Sequence, residues 1–139
     1  MPMTTPIEGL HRLRRAAASG ELAALCERYG LDLLVVFGST AKGKAEPRDL
    51  DIAVSTRRGR SRLALLDLYE ALTAVTGPCD IDVMVLDRAD PVARREALLG
   101  TIPIYEHTPG RFAEVRMAAL NQYAETAPMR ALSLEMMTR

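Results

Sequence analysis

The pattern of apolar residues changes near residue 30, from helical spacing to a nearly continuous apolar run. Residues 7–18 and 21–29 carry apolar side chains at helical intervals, and Gly30 follows the second segment, so the pattern predicts two short opening helices. Residues 31–37 are too few, and too rich in large and β-branched side chains, for a typical helix. Because Gly38 bounds this run, we expect a buried strand here.

Two further strands and an edge strand are predicted downstream. Residues 49–55 and 79–86 alternate apolar and polar side chains, which is typical of strands. Residues 102–105 are short and contain a proline, which favours an edge strand. Two helices separate these strands. Asp90 and Pro91 are typical of a helix start, and this helix is predicted to end near Gly100. The other is capped by Ser61 and ended by Gly77, and its predicted buried stripe is Leu65, Leu68, Leu72 and Val75.

The last third of the chain predicts two more helices. Thr108 and Pro109 repeat the pattern of a helix start, and Pro128 starts a final short helix. The apolar residues of that final helix either form a partner-binding face or pack on the domain itself; they are Met129, Leu132, Leu134, Met136 and Met137. Alternation of strands and helices predicts an α/β architecture, with a small sheet of about three to five strands covered by helices on at least one face.

Composition restricts the possible classes of protein. The chain has 139 residues, of which 48% are hydrophobic, so we expect one domain spanning residues 1–139 with a packed core. Eighteen basic residues balance eighteen acidic ones, which disfavours direct binding to nucleic acid. The longest apolar runs, such as residues 33–37, have five residues, far below the roughly 20 residues of a membrane span, so we expect a cytoplasmic protein. Cys26 and Cys79 form no CxxC pair and are expected to be reduced core residues.

The end of the first predicted strand is suited to binding an anion. Gly38 has no Cβ where the backbone turns, and Ser39 supplies a hydroxyl group immediately after it. If a helix begins at Ser39, its free N–H groups point beyond the strand, and Lys42 adds a positive charge one turn later. The alternative for Gly38 and Ser39 alone is an ordinary turn with a capping serine.

Two pairs of aspartates follow. Asp49 and Asp51 share one face of their predicted strand, and Asp80 and Asp82 share one face of the next. If these strands are neighbours, three carboxylates meet, which is the donor set of a two-metal Mg²⁺ site for nucleotidyl transfer. Spacing leaves Asp80 and Asp82 open as the third ligand, with Asp82 preferred. The alternative is that the aspartates face solvent.

In order along the chain, these pieces resemble the signature of the DNA polymerase β-like nucleotidyltransferase superfamily: Gly38-Ser39-Thr40-Ala41-Lys42-Gly43, then Asp49-Leu50-Asp51, then Asp82 in an apolar strand. Within it, the small size and the segment from Ile104 through Tyr123 to Pro128 and Leu132 resemble the minimal nucleotidyltransferase (MNT) antitoxins, which are paired with HEPN ribonuclease toxins.

The resemblance implies a fold, a reaction and a set of roles. The fold is a small mixed sheet, and the reaction is transfer of AMP from ATP to a tyrosine hydroxyl of a HEPN toxin. Gly38 and Ser39 would hold the triphosphate, with Lys42 in the place of a basic residue. The carboxylates of Asp49, Asp51 and Asp82 would bind two Mg²⁺ ions.

Two features depart from the family pattern. Arg48 stands where a small hydroxyl residue is usual, and the loop between Ser39 and Asp49 is one residue shorter than is common. Arg48 would reach a substrate phosphate or, preferably, pair with Glu46 at the surface. These departures motivate an alternative, a non-catalytic antitoxin that covers its partner. A second alternative is a small-molecule nucleotidyltransferase of the aminoglycoside type.

Overall fold

The computed structural model describes residues 3–57 and 63–138. Over these ranges the helices are α1 Pro6–Ser19, α2 Glu21–Tyr29, α3 Gly38–Ala41, α4 Leu65–Thr76, α5 Pro91–Leu98, α6 Arg111–Glu125 and α7 Ala127–Met137. The strands are β1 Leu31–Phe37, β2 Leu50–Thr56, β3 Ile81–Val85 and β4 Ile102–Glu106. None of the helices in these ranges is both long and apolar enough to cross a bilayer.

The four strands form one mixed sheet in the order β3-β2-β1-β4. β1 is antiparallel to both β2 and β4, whereas β2 and β3 are parallel. Phe37 therefore lies opposite Asp51, and Asp51 lies opposite Asp82. The predicted α/β architecture and the edge position of the last strand are confirmed. This register brings the end of β1 and the starts of β2 and β3 to the same end of the sheet.

Helices cover both faces of the sheet. On one face, β1 and β2 residues such as Leu34 and Ile52 pack with α1, α2 and α4. On the other, Leu33, Val35 and Ala53 pack with α5 and α6. Six consecutive residues of β1 are buried because the strand faces a core on each side, and each fully buried leucine contributes roughly 1.5–3 kcal/mol. Both cysteines are buried and unpaired, as expected: Cys26 and Cys79.

The strand boundaries differ slightly from the predicted ones. β2 begins at Leu50, not at residue 49, so Asp49 is the last residue of the preceding loop. β3 covers only Ile81–Val85 of the predicted 79–86, because Leu86 turns into a 3-10 helix that ends at Arg88.

Several predicted helix ends are confirmed and others are wrong. The Asp90 side chain accepts from the N–H of Ala93 at 2.9 Å, which confirms its capping role, and α5 ends at Leu98, near Gly100 as predicted. Thr108 is not the cap of α6; the helix begins after Gly110, which has a left-handed φ of 91°. A Glu106 carboxylate oxygen accepts from the Phe112 N–H at 2.8 Å and replaces a capping hydroxyl.

Three other expectations concern α4 and α7. Ser61 lies outside the described residues. Leu68 and Leu72 are buried as predicted, whereas Leu65 is exposed because it lies at the helix start. Helix α7 buries none of its residues, and its five large apolar side chains are all exposed: Met129, Leu132, Leu134, Met136 and Met137.

An ion pair joins the start of α6 to the start of β1, at the end of the sheet away from Phe37. Asp32 of β1 is buried, and Arg111 Nε donates to its Oδ2 at 2.7 Å. Arg111 also contacts Glu114 on its own helix at 3.2 Å. A buried carboxylate that loses its partner keeps the cost of desolvation.

We therefore expect Arg111→Met to lower the free energy of unfolding by about 2 kcal/mol, because Asp32 then lacks its charged partner. Urea denaturation followed by circular dichroism measures this change. Arg116→Met is the matched control, since Arg116 is exposed on the same helix, and it should change stability by less than about 0.5 kcal/mol. Equal effects of the two substitutions would refute the role of the ion pair.

Candidate active site

Three carboxylates converge where β2 and β3 begin. One ligand oxygen from each of Asp49, Asp51 and Asp82 lies within 4.8 Å of the other two. Parallel pairing places Asp51 beside Asp82, and the loop that ends at Asp49 brings the third carboxylate to them. Asp49 and Asp51 are half-buried, whereas Asp82 is exposed. Hard oxygen donors in this arrangement fit Mg²⁺, which favours carboxylates.

The pKa of Asp51 reflects both its burial and the neighbouring carboxylates. Burial and, after it, the negative charges of Asp49 and Asp82 raise the pKa of Asp51 to about 6. A divalent cation between the carboxylates would reverse this effect, because an opposite charge favours the ionised form. The cluster is therefore electrostatically unfavourable by itself and suited to a cation.

The backbone at the end of β1 lies directly against the cluster. Gly38 has a φ of 73°, and a Cβ at this position would lie 2.1 Å from Oδ2 of Asp51. Both the left-handed backbone and the close carboxylate require glycine. The Gly-Ser turn and the carboxylates are thus parts of one site.

The turn that follows Gly38 is a single helical turn, α3. Ser39 is half-buried in this turn, and Lys42 is exposed immediately after it. The N–H of Lys42 donates to the carbonyl of Gly38 at 3.1 Å, and the N–H of Lys44 donates to that of Ser39 at 3.1 Å. Phosphate binding by Ser39 and Lys42 remains a prediction, since the geometry establishes only that their turn begins at Gly38, against the carboxylate of Asp51.

Asp80 has a different position from Asp82. Its side chain is exposed and is absent from the carboxylate cluster found among the described residues. Its backbone carbonyl instead accepts from the N–H of Leu50 at 2.8 Å, which ties the start of β2 to the segment before β3. Of the two aspartates that the sequence left open, the geometry brings Asp82 to the cluster.

Sequence reasoning missed a hydroxyl group beside the cluster. Thr40 is buried in α3, and its Oγ1 donates to the carbonyl of Asp49 at 2.8 Å. Threonine is common in turns, so the pattern of residues carries no signal for this bond.

Arg48 and Glu46 are both exposed, and in residues 3–57 and 63–138 no ion pair joins them. The predicted surface pair is therefore wrong, because the loop does not bring the two side chains together.

Several solved structures share this fold. A toxin–antitoxin with AMP-PNP has a TM-score of 0.67 and 20% identity, covering 85% of this chain and 97% of that chain. A tri-AMPylated Shewanella oneidensis HEPN toxin in complex with MNT antitoxin has a TM-score of 0.64 and 19% identity, covering 89% and 98%. The toxin–antitoxin MntA-HepT has a TM-score of 0.62 and 19% identity, covering 85% and 95%. Because these identities are 20% or lower, the similarity shows that this chain shares their fold and nothing more.

Sequence comparison gives the family. No curated protein matches this chain. Residues 21–109 match the family model for Polymerase beta, Nucleotidyltransferase. The matched range runs from α2 through β4 and contains the Gly38 turn and all three carboxylates. This chain belongs to the polymerase β nucleotidyltransferase family.

Proposed function

We propose that this protein is an antitoxin that transfers AMP from ATP to a tyrosine hydroxyl of a HEPN-type toxin, and so neutralises it. The observation that carries the proposal is the cluster of Asp49, Asp51 and Asp82 against the Gly38 turn in a nucleotidyltransferase fold. Among the similar structures, one holds AMP-PNP and another contains a tri-AMPylated HEPN toxin with an MNT antitoxin. Those complexes support the donor, the acceptor and the partner that we propose.

Each part of the site has a role in the proposed reaction. Gly38 and Ser39 hold the triphosphate with their backbone and hydroxyl donors, and Lys42 contributes a positive charge. The three carboxylates would hold Mg²⁺, and the charge supplied by this ion would stabilise the transferred phosphoryl group and the leaving pyrophosphate. Because Asp82 is exposed, it remains open to an incoming substrate.

At the α-phosphorus, the reaction forms one P–O bond and breaks another, and the phenolic proton moves to a base. The tyrosine oxygen attacks the α-phosphorus of ATP, and the bond between that phosphorus and the oxygen bridging to the β-phosphate breaks. Pyrophosphate leaves with the electron pair. We assign the phenolic proton to the carboxylate of Asp82, which lies on the exposed side of the cluster. The products are the AMP-modified toxin and pyrophosphate.

The catalytic proposal is favoured over a binding-only antitoxin. Arg48 and the shorter loop motivated the binding-only alternative, yet the three carboxylate oxygens still lie within 4.8 Å of one another. A surface that only covers a partner does not require three carboxylates this close together, because their mutual repulsion lowers stability.

Transfer of AMP to the toxin tests the proposed reaction directly. With the cognate toxin, Mg²⁺ and ATP, we expect the wild-type protein to add one or more AMP units, detected by intact-mass spectrometry of the toxin. Asp49→Asn combined with Asp51→Asn should slow this transfer by about 10³-fold, because metal binding contributes several kcal/mol to such a transition state.

Asp80→Asn is the matched control. It removes a carboxylate two residues from Asp82 on the same segment but outside the cluster, so transfer should stay within about threefold of wild type. Normal transfer by the double variant would refute the carboxylate assignment. Neutralisation of the toxin without any added mass would instead establish the binding-only antitoxin.

The stability of the metal-free protein should depend on pH through Asp51. The raised pKa of Asp51 means that the folded state holds its proton more tightly than the unfolded chain does, so stability falls as pH rises through about 6. Because Asp51 is partly exposed, screening reduces the penalty above that pH to about 1 kcal/mol. Asp51→Asn should therefore raise Tm in metal-free buffer at pH 7.5 by about 3 °C, and this gain should vanish near pH 4.

Addition of Mg²⁺ completes the second test. Millimolar Mg²⁺ should raise the Tm of the wild-type protein at pH 7.5, since a cation that binds only the folded state stabilises it. The same addition should leave the Tm of Asp51→Asn nearly unchanged. A variant that melts below wild type in metal-free buffer would show that Asp51 does not carry the electrostatic cost.

A further inference from the structure

One peptide group beside the carboxylates is held at both ends. The carbonyl of Asp49 accepts from Thr40 Oγ1 at 2.8 Å, and the N–H of Leu50 donates to the carbonyl of Asp80 at 2.8 Å. These two groups belong to the same planar peptide unit, whose atoms move together. The first bond connects this unit to the turn after β1, and the second connects it to the segment before β3.

This peptide matters because Asp49 lies outside β2. Asp51 is paired with residues on both neighbouring strands, so the sheet fixes the direction of its side chain. Asp49 ends a loop whose residues 42–46 are exposed. Displacement of the backbone at Asp49 would move its carboxylate away from the other two. The bond from Thr40 to the Asp49 carbonyl opposes that displacement.

We propose that Thr40 is a positioning residue that fixes the carboxylate of Asp49 for metal binding. The inference rests on the metal site of the proposed function and adds a residue to it. Thr40 acts through the backbone of Asp49, nine residues away in sequence. Since Thr40 follows Ser39 in the same turn, it also keeps the phosphate-binding turn and the metal-binding loop in one fixed relation.

A hydroxyl group is specifically needed at this position. Thr40 is 5% exposed, so water does not readily replace its donor. Valine has nearly the same shape but leaves the Asp49 carbonyl without this partner, which costs free energy because the carbonyl is partly buried. Serine keeps the donor. Thr40→Val and Thr40→Ser therefore separate the hydrogen bond from the packing.

The test measures Mn²⁺ binding by electron paramagnetic resonance, without nucleotide or toxin, at a temperature where each variant is folded. Thr40→Val should raise the Kd for Mn²⁺ by about tenfold or more, as is typical for residues that orient metal ligands. Thr40→Ser should stay within about threefold of wild type. In the AMP transfer assay, Thr40→Val should require more Mg²⁺ for half-maximal rate and recover at saturating Mg²⁺.

Thr76→Val is the matched control. Thr76 is fully buried, and its hydroxyl donates to the carbonyl of Gly77 at 2.9 Å, so its bond involves none of the three clustered aspartates. This variant should lower Tm but bind Mn²⁺ as wild type does. If Thr40→Val does not fold, Thr40→Cys takes its place, because a thiol is small but a weak donor, and it should also weaken Mn²⁺ binding.

The outcomes separate the two proposals. Wild-type Mn²⁺ affinity in Thr40→Val, or in Thr40→Cys where that is used, would overturn the role of Thr40 while leaving the metal site intact. Equal loss of affinity in Thr76→Val would also overturn it, since a general loss of stability would then explain the effect. If the wild-type protein bound no Mn²⁺, the metal site of the proposed function would fail, and the role of Thr40 with it.

Discussion

Three carboxylates held within 4.8 Å of one another are the constraint on which the rest of this structure depends. Parallel pairing of β2 with β3 brings Asp51 and Asp82 together, and the loop before β2 adds Asp49. Burial and the neighbouring charges raise the pKa of Asp51 to about 6, so the ionised cluster opposes folding at neutral pH. A divalent cation would offset that repulsion. The carboxylate cluster, which destabilises the metal-free fold, is therefore well suited to binding a catalytic metal.

The scaffold keeps the cluster assembled in spite of this repulsion. β1 is buried on both faces, and helices pack on each side of the sheet. Gly38 leaves room for the carboxylate of Asp51, and Thr40 holds the peptide that follows Asp49. At the opposite end of the sheet, Arg111 fastens α6 to β1. Packing of the helices on the sheet thus stabilises the fold outside the site, while the contacts of Gly38 and Thr40 set the geometry of the carboxylates.

Much of this architecture follows from local sequence signals. Apolar runs and alternation predict the strands because side-chain direction has a period of two residues, and Gly38 marks the turn because no other residue fits there. Contacts between distant segments have no local signal: the bond from Thr40 to Asp49 and the pair of Arg111 with Asp32 depend on how the elements pack. For the same reason the Glu106 carboxylate replaced the predicted Thr108 cap, since β4 brings it to the start of α6.

The most direct test of the central claim is an anomalous difference map from crystals grown with Mn²⁺ and a non-hydrolysable ATP analogue. The account predicts a Mn²⁺ peak bonded to carboxylate oxygens of Asp49, Asp51 and Asp82, at distances of about 2.1–2.3 Å, with the triphosphate against the Gly38 turn. A map in which Mn²⁺ lies elsewhere, or in which the three carboxylates bind the nucleotide without any metal, would contradict it.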